Sequence, residues 1–170
     1  MKSLKYTGVF ITFIAAAYYG LVFMAPKELT FQVNEDFNVP VDSVFSLMTD
    51  PSSLPQWVEG IDSVHIEDNT NSTIGKQFQI YYQGENSMIM DKVILSFQPN
   101  KSYSTHGVIK DFFEWDERIE FKSLDSLHTR VSTFVTLKSL SNKSRLFMYA
   151  EETHKQNVAS NYQKLKSLIE

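Results

Sequence analysis

Two ionisable residues lie at positions that the sequence pattern predicts to be buried or to face the interior, and either could transfer a proton. Glu117 shares one face of the predicted strand Phe112–Leu124 with apolar residues, namely Phe113, Trp115, Ile119 and Phe121. His154 lies midway along the predicted C-terminal helix. Carboxyl and imidazole groups that converge on an apolar pocket can act as general acid and base. Both are therefore candidate catalytic residues, unless Glu117 reaches water at a strand end or bulge and His154 lies on the outer face of its helix.

The sequence lacks the patterns typical of metal, thiol and serine-nucleophile chemistry. It has no cysteine, which excludes disulfides and thiol catalysis, and its four histidines are scattered without an HExxH pattern. No GxSxG motif or phosphate-binding glycine loop occurs among its six glycines. We expect neither a metal nor another cofactor. The net charge of −4 and the dispersed basic residues also argue against nucleic-acid binding.

The C-terminal helix and the strands offer residues that could line a cavity. Between its apolar ends, the helix carries inward positions at Thr153, His154, Asn157, Val158 and Asn161. Such residues suit a helix that faces a ligand, since each unpaired polar group in a dry core costs about 1–3 kcal/mol. The alternatives are that this stretch faces solvent and that the strand residues are ordinary core. The residues predicted to line a ligand cavity are Trp57, Phe78, Ile80, Met88, Met90, Trp115, Val135 and Val158.

The N-terminal residues predict a membrane segment. Thr7 to Ala25 contains 19 residues without a charge, which as a helix spans about 28 Å, close to the ~30 Å hydrocarbon core. Lys2 and Lys5 place the N-terminus in the cytoplasm and the rest of the chain outside it, in the periplasm or the extracellular space. A cleaved signal peptide ending near Ala17 is the alternative. We expect residues 1–28 to form a single-pass membrane anchor and residues 29–170 to form one domain.

The pattern of the remaining chain predicts an α+β fold. One strand begins at Leu29, a helix follows Pro40, and a second short helix covers Ser53 to Glu59. Six alternating segments separated by short breaks then predict hairpins, so that the antiparallel sheet has about seven strands. Lys143 to Glu170 contains no Gly or Pro and permits one long helix. We predict a curved antiparallel sheet that grips this C-terminal helix, preceded by one N-terminal transmembrane helix.

This order of elements resembles the START-like, helix-grip superfamily, in its polyketide cyclase/dehydrase and lipid-transport (SRPBCC) branch. The resemblance covers Thr30 to Glu170 and rests on NVPVDSVFSLMTDPSSLPQWVEGIDSV, on VILSFQPNKSYS and on the C-terminal helix. It implies a deep apolar cavity between sheet and helix, closed at one end by the two short helices. Trp57 would then cap the cavity entrance or pack beneath it. These motifs are structural, and the resemblance implies no catalytic motif.

Three functions fit these observations. The first is a membrane-anchored protein, not an enzyme, that binds a hydrophobic small molecule or lipid in its cavity. The second is a cyclase- or dehydratase-type enzyme that uses Glu117 or His154 in the same cavity. The third is an interaction module with a filled core and no cavity. The size and lining of the cavity discriminate the third function from the other two.

Overall fold

The computed structural model describes residues 2–67, 72–84 and 88–170; for residues 2–9 it describes the backbone alone. The helices are α1 (Lys2–Met24), α2 (Val41–Thr49), α3 (Leu54–Trp57), α4 (Asn142–Arg145) and α5 (Glu151–Ile169). The strands are β1 (Glu28–Phe37), β2 (Ile61–Glu67), β3 (Gln77–Tyr82), β4 (Ile89–Gln98), β5 (Ser102–Ile109), β6 (Phe113–Ser123) and β7 (Thr129–Ser139). Two 3₁₀ turns cover Pro51–Ser53 and Leu146–Tyr149.

The seven strands form one antiparallel sheet in the order β1-β7-β6-β5-β4-β3-β2, which confirms the predicted α+β architecture. Consecutive strands from β2 to β7 are neighbours, because the breaks between them are short enough for hairpins. Asn100 and Asp111 have positive φ angles of 58° and 60° at the β4–β5 and β5–β6 turns. Asn and Asp tolerate this conformation better than other side chains, so they suit these positions.

The curved sheet packs one face against α5, with α2 and α3 closing an end of the same interior. The helical spacing predicted for α2 is confirmed, since Val44, Phe45 and Met48 are buried. On the opposite side of the interior, Leu165 of α5 is fully buried. The core of the domain therefore lies in one layer between the sheet and these helices.

The predicted long C-terminal helix is confirmed as α5, but it begins at Glu151 rather than at Lys143. Ser141 and Ser144 form a reciprocal capping box that starts α4, and the 3₁₀ turn Leu146–Tyr149 follows it. At Ala150 the backbone leaves the helical conformation, with φ −94° and ψ 37°. Two acidic residues in the first turn of α5 then favour a new helix N-terminus through the helix dipole. Sequence periodicity missed the break because neither Gly nor Pro marks it.

The N-terminal segment is helical as α1, but the predicted membrane-spanning helix finds no support. Within the described part of the chain, no helix is long and apolar enough to cross a bilayer. Among the described side chains of α1, residues 10–24, only Val22 is buried. Three contacts tie the end of α1 to the domain. Arg145 donates through Nη2 to the carbonyl oxygens of Phe23 and Ala25, and the Tyr149 hydroxyl donates to the Leu21 carbonyl over 3.3 Å.

Candidate functional site

A cavity of about 240 Å³ lies between the sheet, the α3 segment and α5. The interior is therefore not packed solid, and the alternative of a filled core is wrong. Side chains from most elements of the domain line the space. They are Met48, Pro51, Leu54, Trp57, Val58, Glu59, Ile61, Phe78, Ile80, Tyr82, Met90, Lys92, Tyr103, Trp115, Glu117, Ile119, His154, Asn157, Val158, Asn161 and Tyr162.

Trp57 is both buried and part of the cavity wall. Its side chain is held by an Nε1 hydrogen bond of 3.2 Å to the Ser53 hydroxyl, which in turn donates to the Asp50 carbonyl over 2.8 Å. The Pro-rich turn before α3 positions Ser53 for this role, because Pro51 starts the 3₁₀ turn at a fixed φ. Since the polar edge of the indole is satisfied locally, its apolar ring is free to face the cavity.

α5 contributes short or polar side chains to the wall over its first three turns. His154, Asn157, Val158 and Asn161 line the cavity, as their predicted inward phase requires, while Thr153 is exposed. One turn later Tyr162 is fully buried, and its hydroxyl shares a hydrogen bond with the Thr133 hydroxyl. The cavity thus ends where the helix changes from small and polar to large and apolar inward residues.

An ion pair crosses the sheet on the cavity wall. The Lys92 Nζ lies 3.0 Å from the Glu117 Oε2, and the two side chains are only 10% and 19% exposed. Lys92 is on β4 and Glu117 on β6, so the lysine reaches over β5 to make the contact. Each charge compensates the other, because an unpaired charge that is largely removed from water would lower the stability of the fold.

Gly107 of β5 provides the space for this crossing. It lies opposite Lys92 on one side and Trp115 on the other. A Cβ at this position would meet the Lys92 Cγ and the Met90 Sδ at 3.0 Å each, closer than nine in ten real Cβ contacts. The absence of a side chain lets the lysine stem and the methionine lie over the strand. Thr105, next along the same strand face and paired with Glu117, has a buried Oγ1 with no hydrogen-bond partner among the described residues.

Two tyrosines on the cavity wall are held in the neutral form. Burial raises the pKa of Tyr82 to about 12, with the Glu117 carboxylate as the second cause. The same two causes, burial first, raise the pKa of Tyr103 well above its ordinary value. The Tyr82 hydroxyl makes one weak contact, 3.9 Å to the Met90 sulfur. These phenols therefore add hydrogen-bonding capacity to the wall without adding charge.

The turn after α3 is fastened to α5 at the rim of the cavity. The Glu59 backbone N–H donates to the Asn161 side-chain oxygen over 3.0 Å, and the Lys164 Nζ lies 3.3 Å from the Glu59 Oε2. Gly60, with φ 80°, follows immediately and adopts a conformation that favours glycine. These contacts join the end of α3 to α5 beside the cavity.

The structure brings six of the eight predicted lining residues around the cavity: Trp57, Phe78, Ile80, Met90, Trp115 and Val158. Their contact with a ligand stays a prediction. Met88 is 46% exposed and does not line the cavity, because β4 begins at Ile89 and the alternation does not extend back to it. Val135 is fully buried in a cluster with Phe31 and Met148 and does not line the cavity, although its strand partner Glu117 does.

The two candidate acid–base residues, Glu117 and His154, also line the cavity, and both have protein partners. Glu117 pairs with Lys92. The Nε2 of His154 lies 3.2 Å from the Phe147 carbonyl, so this nitrogen carries the proton and donates. Sequence reasoning missed Lys92, although it lies two residues after Met90 and therefore on the same strand face.

A seven-stranded antiparallel sheet around a C-terminal helix, with an apolar cavity between them, defines the helix-grip class of ligand-binding domain. The sequence model of the family described as "Polyketide cyclase / dehydrase and lipid transport" matches residues 37–148. This protein belongs to that family. The predicted resemblance is thereby confirmed. No curated protein sequence matches the chain.

Solved structures share the fold at low sequence identity. The Zhui aromatase/cyclase from Streptomyces sp. R1128 superposes with a TM-score of 0.68 at 10% identity, covering 82% of this chain and 92% of that one. A START superfamily protein from Mycobacterium smegmatis gives 0.68 at 12% identity, with 82% and 96% covered. A hypothetical protein from Helicobacter pylori gives 0.67 at 12%, with 84% and 88% covered. At these identities the likeness concerns the fold alone.

Proposed function

We propose that this protein binds a hydrophobic small molecule or a lipid chain, with one neutral polar group, inside the cavity. The supporting observation is a mainly apolar space of about 240 Å³ whose wall carries the part-buried ion pair of Lys92 and Glu117. A single water-sized group needs only about 10–15 Å³ of such volume, so this space accepts several groups without rearrangement. Longer chains require the rim between α3 and α5 to open.

The ion pair favours a hydroxyl over a carboxylate as the polar group. An ammonium has three N–H donors and a carboxylate has two oxygens, so Lys92 and Glu117 retain capacity after they bond to each other. A ligand hydroxyl can accept from Lys92 and donate to Glu117. A ligand carboxylate would place a second negative charge beside Glu117, where the low dielectric makes repulsion strong.

The energetics of apolar burial are sufficient for binding. A ligand of this size buries on the order of 300 Å² of apolar surface, which supplies roughly 7 kcal/mol at ~25 cal/mol/Å². Association costs reduce this sum. Burial together with one or two hydrogen bonds therefore supports binding with a Kd of about 0.1 mM or weaker.

Intrinsic fluorescence reports on the cavity without a label, because both tryptophans of the chain, Trp57 and Trp115, line it. Three probes of equal chain length are 8-bromo-1-octanol, 8-bromooctanoic acid and 1-bromooctane, whose bromine quenches nearby indoles. We expect saturable quenching of the full-length protein, strongest with the alcohol. Native mass spectrometry of the same samples gives the stoichiometry, with one probe expected per chain.

The matched variants are Val158→Phe and Ser160→Phe. Val158 lines the cavity and Ser160 is exposed on the same helix, so only the first substitution fills the space. Val158→Phe should lose saturable quenching, while Ser160→Phe should bind like the wild type. Equal, non-saturating quenching of all three proteins would contradict internal binding. A preference for the acid over the alcohol would contradict the proposed polar group.

The contacts of Glu117 and His154 favour binding over catalysis. Glu117 is bonded to Lys92, and the protonated nitrogen of His154 is bonded to the Phe147 carbonyl. Each group would have to leave its partner before it could donate a proton to a ligand. The dehydratase-type alternative predicts that a bound substrate is released with the mass of one water lost, which mass spectra would reveal. Cyclisation without loss of water leaves the mass unchanged, so chromatographic separation of the product is needed to detect it.

The location of the domain on the outer side of a membrane stays a prediction from the N-terminal residues. Because the chain has no cysteine, Lys101→Cys provides a single thiol in the exposed β4–β5 turn. An impermeant maleimide should modify this thiol in intact cells if the domain is outside. Modification only after lysis would contradict the prediction.

A further inference from the structure

The surface where α1 joins the domain combines exposed aromatic, aliphatic and basic side chains. Leu140, Phe147 and Tyr149 are 44%, 49% and 54% exposed. Lys27, Lys110 and Lys143 are exposed beside them. We call these six residues the collar.

Hydrogen bonds and ring contacts show that the collar is one surface. The Leu140 backbone N–H donates to the Phe112 carbonyl, which brings the β7–α4 connection beside the β5–β6 turn that carries Lys110. The Phe112 ring contacts the Phe147 ring at a centroid distance of 5.3 Å. The Ser139 N–H donates to the Lys27 carbonyl, which adds the connection between α1 and β1.

The collar is continuous with the apolar surface of α1. Phe23 and Met24 at the end of α1 are 82% and 77% exposed. Arg145 and Tyr149 bond to the last carbonyls of that helix and so hold it against the domain. The exposed apolar end of α1 and the basic and aromatic residues of the collar therefore lie on one continuous surface.

We infer that the collar rests on the surface of a bilayer that contains anionic lipid. Exposed Phe and Leu side chains enter the boundary between headgroups and acyl chains, Tyr lies at the headgroup level, and Lys pairs with anionic headgroups. The three lysines have two exposed acidic neighbours, Glu28 and Asp111, while Glu151 and Glu152 at the start of α5 both pair with Lys155. The inference concerns the surface of the domain and needs no helix that crosses the bilayer.

The collar also adjoins the cavity. The 3₁₀ turn Leu146–Tyr149 presents Phe147 and Tyr149 outward, while its Phe147 carbonyl accepts the hydrogen bond from His154 of the cavity wall. Docking of the collar would therefore bring this end of the cavity to the lipid surface. The inference itself does not depend on what the cavity binds.

Single-thiol labelling of the full chain tests this orientation. Lys143→Cys in the collar and Lys101→Cys at a distant turn each carry one environment-sensitive dye. Vesicles contain phosphatidylcholine, with or without phosphatidylglycerol. We expect the dye at position 143 to brighten and shift to the blue with phosphatidylglycerol vesicles, and the dye at 101 to stay unchanged. If neither dye responds, or both respond equally, the inference is wrong.

Charge reversal provides the second measurement. Lys110→Glu with Lys143→Glu should weaken binding to the anionic vesicles by about tenfold or more. The control pair Lys101→Glu with Lys122→Glu makes the same change in net charge away from the collar and should bind like the wild type. Unchanged binding of the collar variant would overturn the inference. So would a collar variant whose only effect is on self-association in gel filtration.

The cavity and the collar can be tested separately. Val158→Phe, which fills the cavity, should bind the anionic vesicles as the wild type does. Its failure to bind vesicles while remaining folded would show that membrane contact requires the ligand site, which contradicts the inference as stated.

Discussion

The two halves of α5 face the same sheet but meet it differently. In the C-terminal half, Leu165 is fully buried in the core cluster that contains Phe37 and does not line the cavity, which ends at Tyr162. In the N-terminal half, His154, Asn157 and Val158 face the cavity across from Phe78 and Ile80. Backbone architecture alone therefore does not decide whether a helix-grip interior is filled. The size and polarity of a few helix residues decide it.

The largest expected difference is in the stability of matched truncations. Leu165→Ala removes a fully buried side chain from the solid half and should cost about 2–5 kcal/mol in the free energy of unfolding. Val158→Ala shortens a side chain that already borders empty space and should cost about 1 kcal/mol or less. Urea denaturation of both variants measures the difference. Equal losses would show that the two halves are packed alike.

Alkaline pH should destabilise the domain through the tyrosines of the cavity wall. The folded-state pKa of Tyr82 is about 12, above the value of about 10 for an unfolded tyrosine. The stabilisation by its neutral hydroxyl is fully present below pH 10 and is lost as the pH rises towards 12, with a magnitude of about 2–3 kcal/mol.

Tyr82→Phe removes the titrating group and should reduce the pH dependence of stability in that window. The variant should also lose part of the delayed tyrosinate absorbance that the folded wild type shows above pH 10. Tyr82→Phe with the same alkaline profile as the wild type would contradict the buried position of this phenol.

Substitutions of Lys92 and Glu117 should have strongly non-additive effects on the free energy of unfolding. Glu117→Leu leaves Lys92 without its partner on the wall of an apolar cavity and should cost about 1–3 kcal/mol, a range that allows for water entering the cavity. The double variant Lys92→Met with Glu117→Leu should recover most of this loss, because no charge remains uncompensated. It should also lose the preference for 8-bromo-1-octanol over 1-bromooctane. Additive costs for the two single variants would mean that the charges do not interact.

A small change in stability is expected at Gly107. Gly107→Ala places a Cβ against the stems of Lys92 and Met90, which must move by a few tenths of an ångström, at a cost of about 1 kcal/mol. The displaced lysine should weaken binding of 8-bromo-1-octanol more than binding of 1-bromooctane. Equal effects on both probes would show that Gly107 shapes the cavity without positioning Lys92.

Local patterns predicted much of the fold and of the cavity wall. Alternation identified the strands that carry Phe78, Ile80 and Met90, and helical spacing identified the inward phase of Val158. These signals were sufficient because each depends on the periodicity of a single element. Met88 shows the limit of the method, since alternation does not mark the residue at which a strand begins.

The polar part of the site was not predictable in this way. Lys92 and Glu117 meet across an intervening strand, so their pairing depends on strand order and register that no local pattern contains. The role of Gly107 depends on side chains from a neighbouring strand. Val135 has the inward phase of its strand, yet it is buried in a cluster with Phe31 and Met148 from other elements, which the pattern of its own strand does not contain.

A crystal of the full chain soaked with 8-bromo-1-octanol would examine the cavity itself. We predict one anomalous bromine peak between the Trp57 and Trp115 rings, with the hydroxyl within hydrogen-bond distance of Lys92 and Glu117. An interior in which side chains fill the space between α3, α5 and the sheet, with bromine found only on the surface, would contradict the proposed binding function.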